Sequence, residues 1–413
     1  MTVITNASCV EPGFQVALKG NELSDRFTSF GDRFHLIDIG SEKFPSYIPY
    51  VQPMMSSLLG AILTKVDDNP PDVIVGSYLE PYGMAALCAA SFHSIPTYIR
   101  HAGSDVGALA IHPLLKTAYS HALIQADGIL SHNSVENRKF LKALNVKDQY
   151  VKDIISVSNF APFLSNKCLD IESYAEIAQN HYAPPYLSNI AFDCLKSINS
   201  SKWGSSAPTI GIYGKTGRFK GTFQLIEALQ QFATEATPFR FLIALAGWKE
   251  SVAKVIQAIY NSNLRMRARI LPPLPLWRVP EFLSCCDVVA FLENNFPIAS
   301  HTPRVPLEII SSAKTLLVTR EQIERICLDN ILIHNDNALI VEPPYNAAAI
   351  YEALSSSLQN PAKMSAVSSR ASIVRKLLGL KSDCKLSFAN DMLATLEKEM
   401  RASSSREPPI PAN

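Results

Sequence analysis

The sequence predicts an α/β protein made of two doubly wound parallel domains that face each other across a cleft. Three observations carry this. Short β-branched runs alternate with longer helical stretches almost throughout, the pattern of parallel α/β layers. The alternation breaks in a Pro- and Ser-rich stretch that ends near residue 206, then restarts at Pro208. A chain of 413 residues also exceeds the roughly 250–300 at which a single hydrophobic core stops growing. Sheets of this kind bind ligands beyond the carboxyl ends of their strands, so two in succession imply a cleft.

In the first half the β-branched runs place strands at 2–5, 34–39, 73–76, 97–100, 128–131 and 154–157, with helices at 83–92, 112–123 and 134–144. The stretch 159–206 differs, with Pro184-Pro185 and a Ser-rich tract at 197–206 whose end reads as a linker. In the second half strands are expected at 209–213, 240–246, 267–271, 288–291, 315–318 and 338–341, and helices at 222–234, 250–261, 279–284, 305–313 and 346–358. Two more helices, 361–378 and 384–400, follow the last strand. The domains are therefore expected at 1–200 and 207–380, with a separate helix at 383–400 and a disordered tail at 402–413.

Composition excludes several classes. The 38 Lys+Arg against 37 Asp+Glu leave a formal charge of +1, which argues against a nucleic-acid partner or a polybasic membrane anchor. With 17 Gly and 27 Pro, a repeated Gly-rich phosphate cradle is not expected. The eight cysteines show no C-x-x-C spacing and mostly flank apolar residues, so they read as buried free thiols. The start lacks a basic segment followed by an apolar one, and no run of about 18 apolar residues occurs. A cytoplasmic protein without stable membrane insertion is expected.

Chemistry concentrates at three turns. Strand 209–213 runs into Gly214, Lys215, Thr216, Gly217, Arg218, Phe219, Lys220 and Gly221, after which Leu225, Ile226, Leu229 and Phe232 face inward from a helix. Three cations thus stand at a strand-to-helix turn, where free N–H groups and the helix dipole suit a phosphate. It is not a Walker A loop, because the first glycine of that motif would fall on Thr209, inside the strand. A solvated basic turn is the alternative. Strand 288–291 leads to Glu293 and then to a loop with no glycine, through Ser300, His301, Thr302, Pro303 and Pro306 to Glu308 in a helix. In the first half, His101, Ser104 and Asp105 close a central strand, while Tyr82 and Gly83 form a turn on the same face and Gly13 follows strand one.

These turns resemble those of the GT-B glycosyltransferases of the retaining family 4. Lys215 and Lys220 match its G-[RK]-x-x-x-x-K-G element, whose cations grip the diphosphate of a sugar nucleotide; the first is more often Arg, and Lys offers a point charge instead of a planar fork. Glu308 matches the last Glu of its E-x7-E motif, which contacts the ribose hydroxyls, but the first Glu falls on Ser300. The turn at His101 resembles the family's H-G-x-D or R-G-S-D element, where a His lies near the reacting sugar.

The resemblance implies two Rossmann-like domains, with the helix at 383–400 crossing back onto the first. It also implies retaining, metal-independent transfer of a hexosyl group from a UDP- or GDP-sugar to a small-molecule or glycan acceptor. His101, Lys215 and Lys220 are then the expected catalytic residues. Gly214, Arg218, Glu308, His301, Thr302, Ser300 and Glu293 would bind the donor, and Gly13, Tyr82, Gly83, Ser104 and Asp105 would face the acceptor. Each carries a plainer alternative: His101 as a satisfied core polar group, Tyr82 as packing, Glu293 as a water-exposed strand-end residue. Two other readings share the fold, a non-catalytic nucleotide-sugar-binding protein, which Ser300 suggests, and a sugar-nucleotide epimerase.

Overall fold

The computed structural model describes residues 1–5, 10, 12–19, 22, 35–39, 54–101, 105–110, 112–131, 135–148, 151–153, 167–201, 203, 207–217, 219–298, 301 and 303–377. The elements run in order β1 (Thr2–Thr5), β2 (His35–Asp38), α1 (Met54–Asp68), β3 (Ile74–Ser77), α2 (Met84–His93), β4 (Thr97–Arg100), α3 (Pro113–Gln125), β5 (Gly128–Ser131), α4 (Val135–Ala143) and β6 (Val151–Asp153). They continue as α5 (Ile171–His181), α6 (Asn189–Asn199), β7 (Thr209–Lys215), α7 (Thr222–Thr234), β8 (Arg240–Ala246), α8 (Lys249–Tyr260), β9 (Ala268–Leu271), α9 (Val279–Ser284) and β10 (Val288–Phe291). The last are α10 (Val305–Ser311), β11 (Thr315–Thr319), α11 (Arg320–Arg325), β12 (Leu339–Val341), α12 (Ala347–Leu358) and α13 (Pro361–Leu377). The expected strand at 154–157, the helix at 383–400 and the tail lie outside the described residues. Among the described residues no helix is long and apolar enough to cross a membrane.

The chain divides into two compact units. One comprises Met54–Pro162, Ile298–His301 and Lys381–Asn413; the other comprises Met1–Pro53, Phe163–Pro297 and Thr302–Leu380. In the first, four parallel strands take the order β3-β4-β5-β6. The two middle strands are almost wholly buried, and Ile99 and Ile129 meet Leu79, Leu123 and Leu141 in one apolar cluster. Asp127, one residue before β5, accepts the first N–H of the neighbouring strand from Thr97 at 2.8 Å and so satisfies a donor at the sheet's end.

In the second unit six parallel strands take the order β12-β11-β10-β7-β8-β9. This is the Rossmann order, in which the chain winds outward from β7 to one side and then restarts at β10 on the other. The strands read as near-continuous apolar runs, as sheets covered on both faces require. Alternate residues Ile210 and Ile212, Phe241 and Ile243, and Val288 and Ala290 share a core with Leu225, Leu229 and Phe232 of α7. Burial of each such large side chain contributes about 1.5–3 kcal/mol. Asp287 repeats the device of Asp127, accepting from the Thr209 N–H at 2.7 Å.

Two features depart from the expected 1–200 first domain. Helices α5 and α6, in the stretch set apart for its prolines and serines, pack on the second sheet. Asn199 fixes them there: its amide donates to the carbonyls of Ala175 at 3.0 Å and Ile270 at 2.8 Å and accepts from the Ile270 N–H at 2.9 Å. Strands β1 and β2 pair only with each other among the described residues, and residues 12–19 dock on the second unit through Ala17 N–H to Pro273 O at 2.8 Å and Gly247 N–H to Gly13 O at 2.9 Å.

Candidate functional site

The site grows from the turn between β7 and α7. Gly214 and Gly221 have φ of +105° and +69°, values that a side chain disfavours. A Cβ on Gly221 would also lie 2.5 Å from the Leu292 carbonyl. The turn therefore presses against the chain leaving β10, and the Asn294 N–H donates to Phe219 O at 3.0 Å. Lys220 Nζ meets the Glu293 carboxylate and stands 4.6 Å from the centre of the Phe296 ring. Glu293 is not the water-exposed strand-end residue of the plainer reading, because its side chain is 0% exposed. Burial and the Lys215 charge pull the Lys220 ammonium down to about 8, while the Glu293 carboxylate works in the opposite sense.

Lys215 is exposed, with Nζ 5.3 Å from the centre of the Phe14 ring. Phe14 stacks edge-on against Trp248 at 5.1 Å. Gly13, expected on the acceptor side, lies next to Phe14 and is held against Gly247. Its carbonyl accepts from Gly247, and a Cβ there would strike both the Gly247 carbonyl and the Tyr186 hydroxyl, which are themselves hydrogen-bonded at 3.0 Å.

Beside Lys215 opens a cavity of about 390 Å³ lined by Phe14, Tyr213, Gly214, Lys215, the Ala244 and Ala246 pair, Pro273, Leu274 and Val279. Ala244 and Ala246 lie two apart on β8 and so share one face, where their small side chains leave room. Tyr213 links the cavity to Glu308: its hydroxyl donates to Glu308 Oε2 at 2.6 Å. Burial pushes the Glu308 carboxyl up, offset by the Tyr213 hydrogen bond and the Arg304 charge, and burial pushes the Tyr213 phenol well above its usual range. Glu308 lies in the first turn of α10, as expected.

The remaining expected residues divide. His101 is 7% exposed, and its Nε2 lies 2.6 Å from Ser131 Oγ, so it holds a polar partner within its own unit. Asp105 is fully buried and its carboxylate accepts from the N–H groups of Leu79 at 2.9 Å and Val106 at 3.0 Å, which makes it an anchor of the two turns. Gly83 is buried against β3, where a Cβ on Gly76 would lie 2.6 Å from the Gly83 Cα. Tyr82 and His301 are half-buried. Arg218, Ser300, Thr302 and Ser104 lie outside the described residues. The cysteines are not uniformly buried: Cys194 and Cys286 are, whereas Cys168 and Cys327 are exposed. Sequence reasoning missed Tyr213, Phe14 and the cavity; the Ala-x-Ala pattern on β8 and the prolines at 272, 273 and 275 were its only traces.

Residues 196–373, less than half of the chain, match the family model of the glycosyl transferases group 1. Together with the fold, this domain supports a GT-B glycosyltransferase. None of the curated proteins matches the chain in sequence. Among solved structures, sucrose-phosphate synthase from Thermosynechococcus elongatus aligns over 98% of this chain and 99% of its own, at 12% identity and a TM-score of 0.58. HepE of Anabaena in complex with UDP-glucose aligns over 97% and 99%, at 13% and 0.58. A UDP-N-acetylglucosamine 2-epimerase aligns over 100% and 99%, at 15% and 0.50. At these identities the likeness is one of fold: two Rossmann-like domains of the GT-B type.

Proposed function

We propose that the protein is a retaining glycosyltransferase that moves a hexosyl group from a UDP- or GDP-sugar to the hydroxyl of a small-molecule or glycan acceptor without a metal. One observation carries this reading: of the two lysines at the turn of the Rossmann switch point, Lys215 lines a cavity that Tyr213 connects to Glu308. The cavity is apolar enough for a nucleoside base. The Glu308 carboxylate, held by one oxygen, is suited to accept from vicinal ribose hydroxyls. Lys215 and Lys220 then flank the diphosphate and neutralise the charge that develops as it departs. A fold shared with HepE, a protein solved with UDP-glucose, agrees with such a donor.

The reading is tested by incubating the full chain with a panel of UDP- and GDP-sugars and candidate acceptors. Nucleoside diphosphate release is followed, and the anomeric configuration of the product is assigned by NMR. Transfer with the donor's configuration kept, undiminished by EDTA, is expected. An inverted product refutes retention, and loss of activity with EDTA refutes metal independence. The Ser300 departure favours a second reading, a binding module. Saturable binding without turnover would establish that one, and an epimerised sugar nucleotide would establish the shared-fold epimerase.

A further inference from the structure

Lys220, the cation that the donor's diphosphate needs, already holds an oxyanion from its own chain. Glu293 stands two residues past the end of β10 with its backbone fixed by a hydrogen bond from Thr319 Oγ1 to its carbonyl at 2.8 Å. Its Oε2 contacts Lys220 Nζ, and the Phe296 ring covers another side of the ammonium. The hydrogen bond from Asn294 to Phe219 zips the two chain segments together behind the pair. Lys220 keeps only 23% of its side chain exposed in this arrangement. A carboxylate oxygen and a phosphate oxygen make the same demand on an ammonium: a short charge-assisted contact in a partly desolvated place.

We infer that Glu293 is a positioning residue that occupies the phosphate place on Lys220 before the donor arrives, so that donor binding exchanges one oxyanion for another. This rests on the donor reading proposed above. The consequence is opposite in sign to that of an ordinary binding contact. Removing the Glu293 charge should strengthen the grip on a nucleoside diphosphate, because the donor no longer has to displace an internal competitor. A nucleoside, which carries no phosphate, should bind as before. A purely structural Glu293 would not divide the two ligands in this way.

The test is calorimetric titration of UDP, GDP, uridine and guanosine into the full chain and into Glu293→Gln and Glu293→Asp, each with a melting curve. Glu293→Gln should bind the preferred diphosphate about fivefold more tightly, the scale of releasing one ion pair, with nucleoside affinity unchanged. Glu293→Asp keeps the charge but draws it back by one methylene and should gain about threefold; it decides alone if Glu293→Gln does not fold. Unchanged or weaker diphosphate binding in a folded variant overturns the inference and leaves the donor reading standing. Failure of the wild-type chain to bind either diphosphate overturns both.

Discussion

Lys220 is placed so that a pH profile should report on its charge. Burial and the neighbouring Lys215 lower its ammonium from an ordinary 10.5 to about 8. A bound diphosphate brings more negative charge to Lys220 than the Glu293 carboxylate it displaces and so favours the protonated form, which links donor binding to protonation. The sign follows directly. Below about pH 8 the free protein already carries the charge, and donor affinity is level. Above it, each pH unit weakens binding by about 1.4 kcal/mol, or tenfold, until the higher pKa of the complex is reached. Between pH 7 and 9 the charged fraction drops from about nine-tenths to about one-tenth, so kcat/KM for the donor should fall about tenfold. Lys220→Arg should flatten the profile, because a guanidinium stays charged throughout this range. The assay is nucleoside diphosphate release at subsaturating donor from pH 6.5 to 9.5, with a melting curve at each pH. A level wild-type profile, or an equal fall in Lys220→Arg, would refute the assignment of the donor grip to the Lys220 charge.

Three other perturbations separate the parts of the site. Tyr213→Phe removes the hydroxyl that donates to Glu308 at 2.6 Å and leaves a buried carboxylate short of a partner, a loss of about 1–3 kcal/mol. The donor KM should rise about 5- to 150-fold with kcat little changed, and a drop confined to kcat would show that Glu308 acts on the chemistry instead. Ala246→Phe places a ring into the cavity beside β8; nucleoside and donor binding should vanish while the melting temperature holds, and retained binding would place the base elsewhere. Asn199→Ala deletes three buried hydrogen bonds between α5, α6 and β9, which at about 1 kcal/mol each lowers the stability of the second unit by about 3 kcal/mol. All three tryptophans, Trp203, Trp248 and Trp277, lie in that unit, so urea unfolding followed by tryptophan fluorescence reads it alone; an unshifted midpoint would contradict the packing of α5 and α6 there.

The strands were legible because a parallel sheet covered on both faces demands short, nearly continuous apolar runs, and Arg240–Ala246 and Val288–Phe291 fell where those runs stand. The basic turn was legible because its glycines and cations crowd into eight residues. Helices α5 and α6 were hidden by composition: their polar faces outweigh narrow stripes of Tyr174, Ala175 and Ala178 and of Ala191, Leu195 and Ile198. Their caps were nonetheless on show, since Asp170 and Ser188 accept from Ser173 and Ala191 three residues on. The cavity left almost no trace, because most of its lining, Phe14, Ala244, Ala246, Pro273, Leu274 and Val279, is apolar and comes from separate stretches of the chain. Asp105 shows the converse error. A carboxylate in a strand-end turn reads as a ligand group, yet two backbone N–H groups 26 residues and one residue away already claim it.

The register of the sheet brings Glu293 to the start of the turn that carries Lys220. Strands β7 and β10 pair with Ala290 opposite Ile212, so the chain three residues past Ala290, at Glu293, emerges level with the chain three past Ile212, at Lys215. These strands flank the point at which the winding reverses, where ligands of such sheets bind. A carboxylate at residue 293 is therefore delivered to the basic turn by topology. The E-x7-E motif counts back from Glu308 along the chain and reaches Ser300; counting across the sheet reaches Glu293 instead. A residue's place in the strand order, more than its distance from a motif partner, decides which acidic group faces the lysine. A carboxylate moved one residue along, as in Glu293→Gln combined with Asn294→Glu, should not restore the contact, because the residue 294 side chain turns back on its own chain, where the Asn294 amide donates to Leu292 O at 3.0 Å; diphosphate affinity by calorimetric titration should stay at the Glu293→Gln level, and a return to the wild-type value would refute the argument.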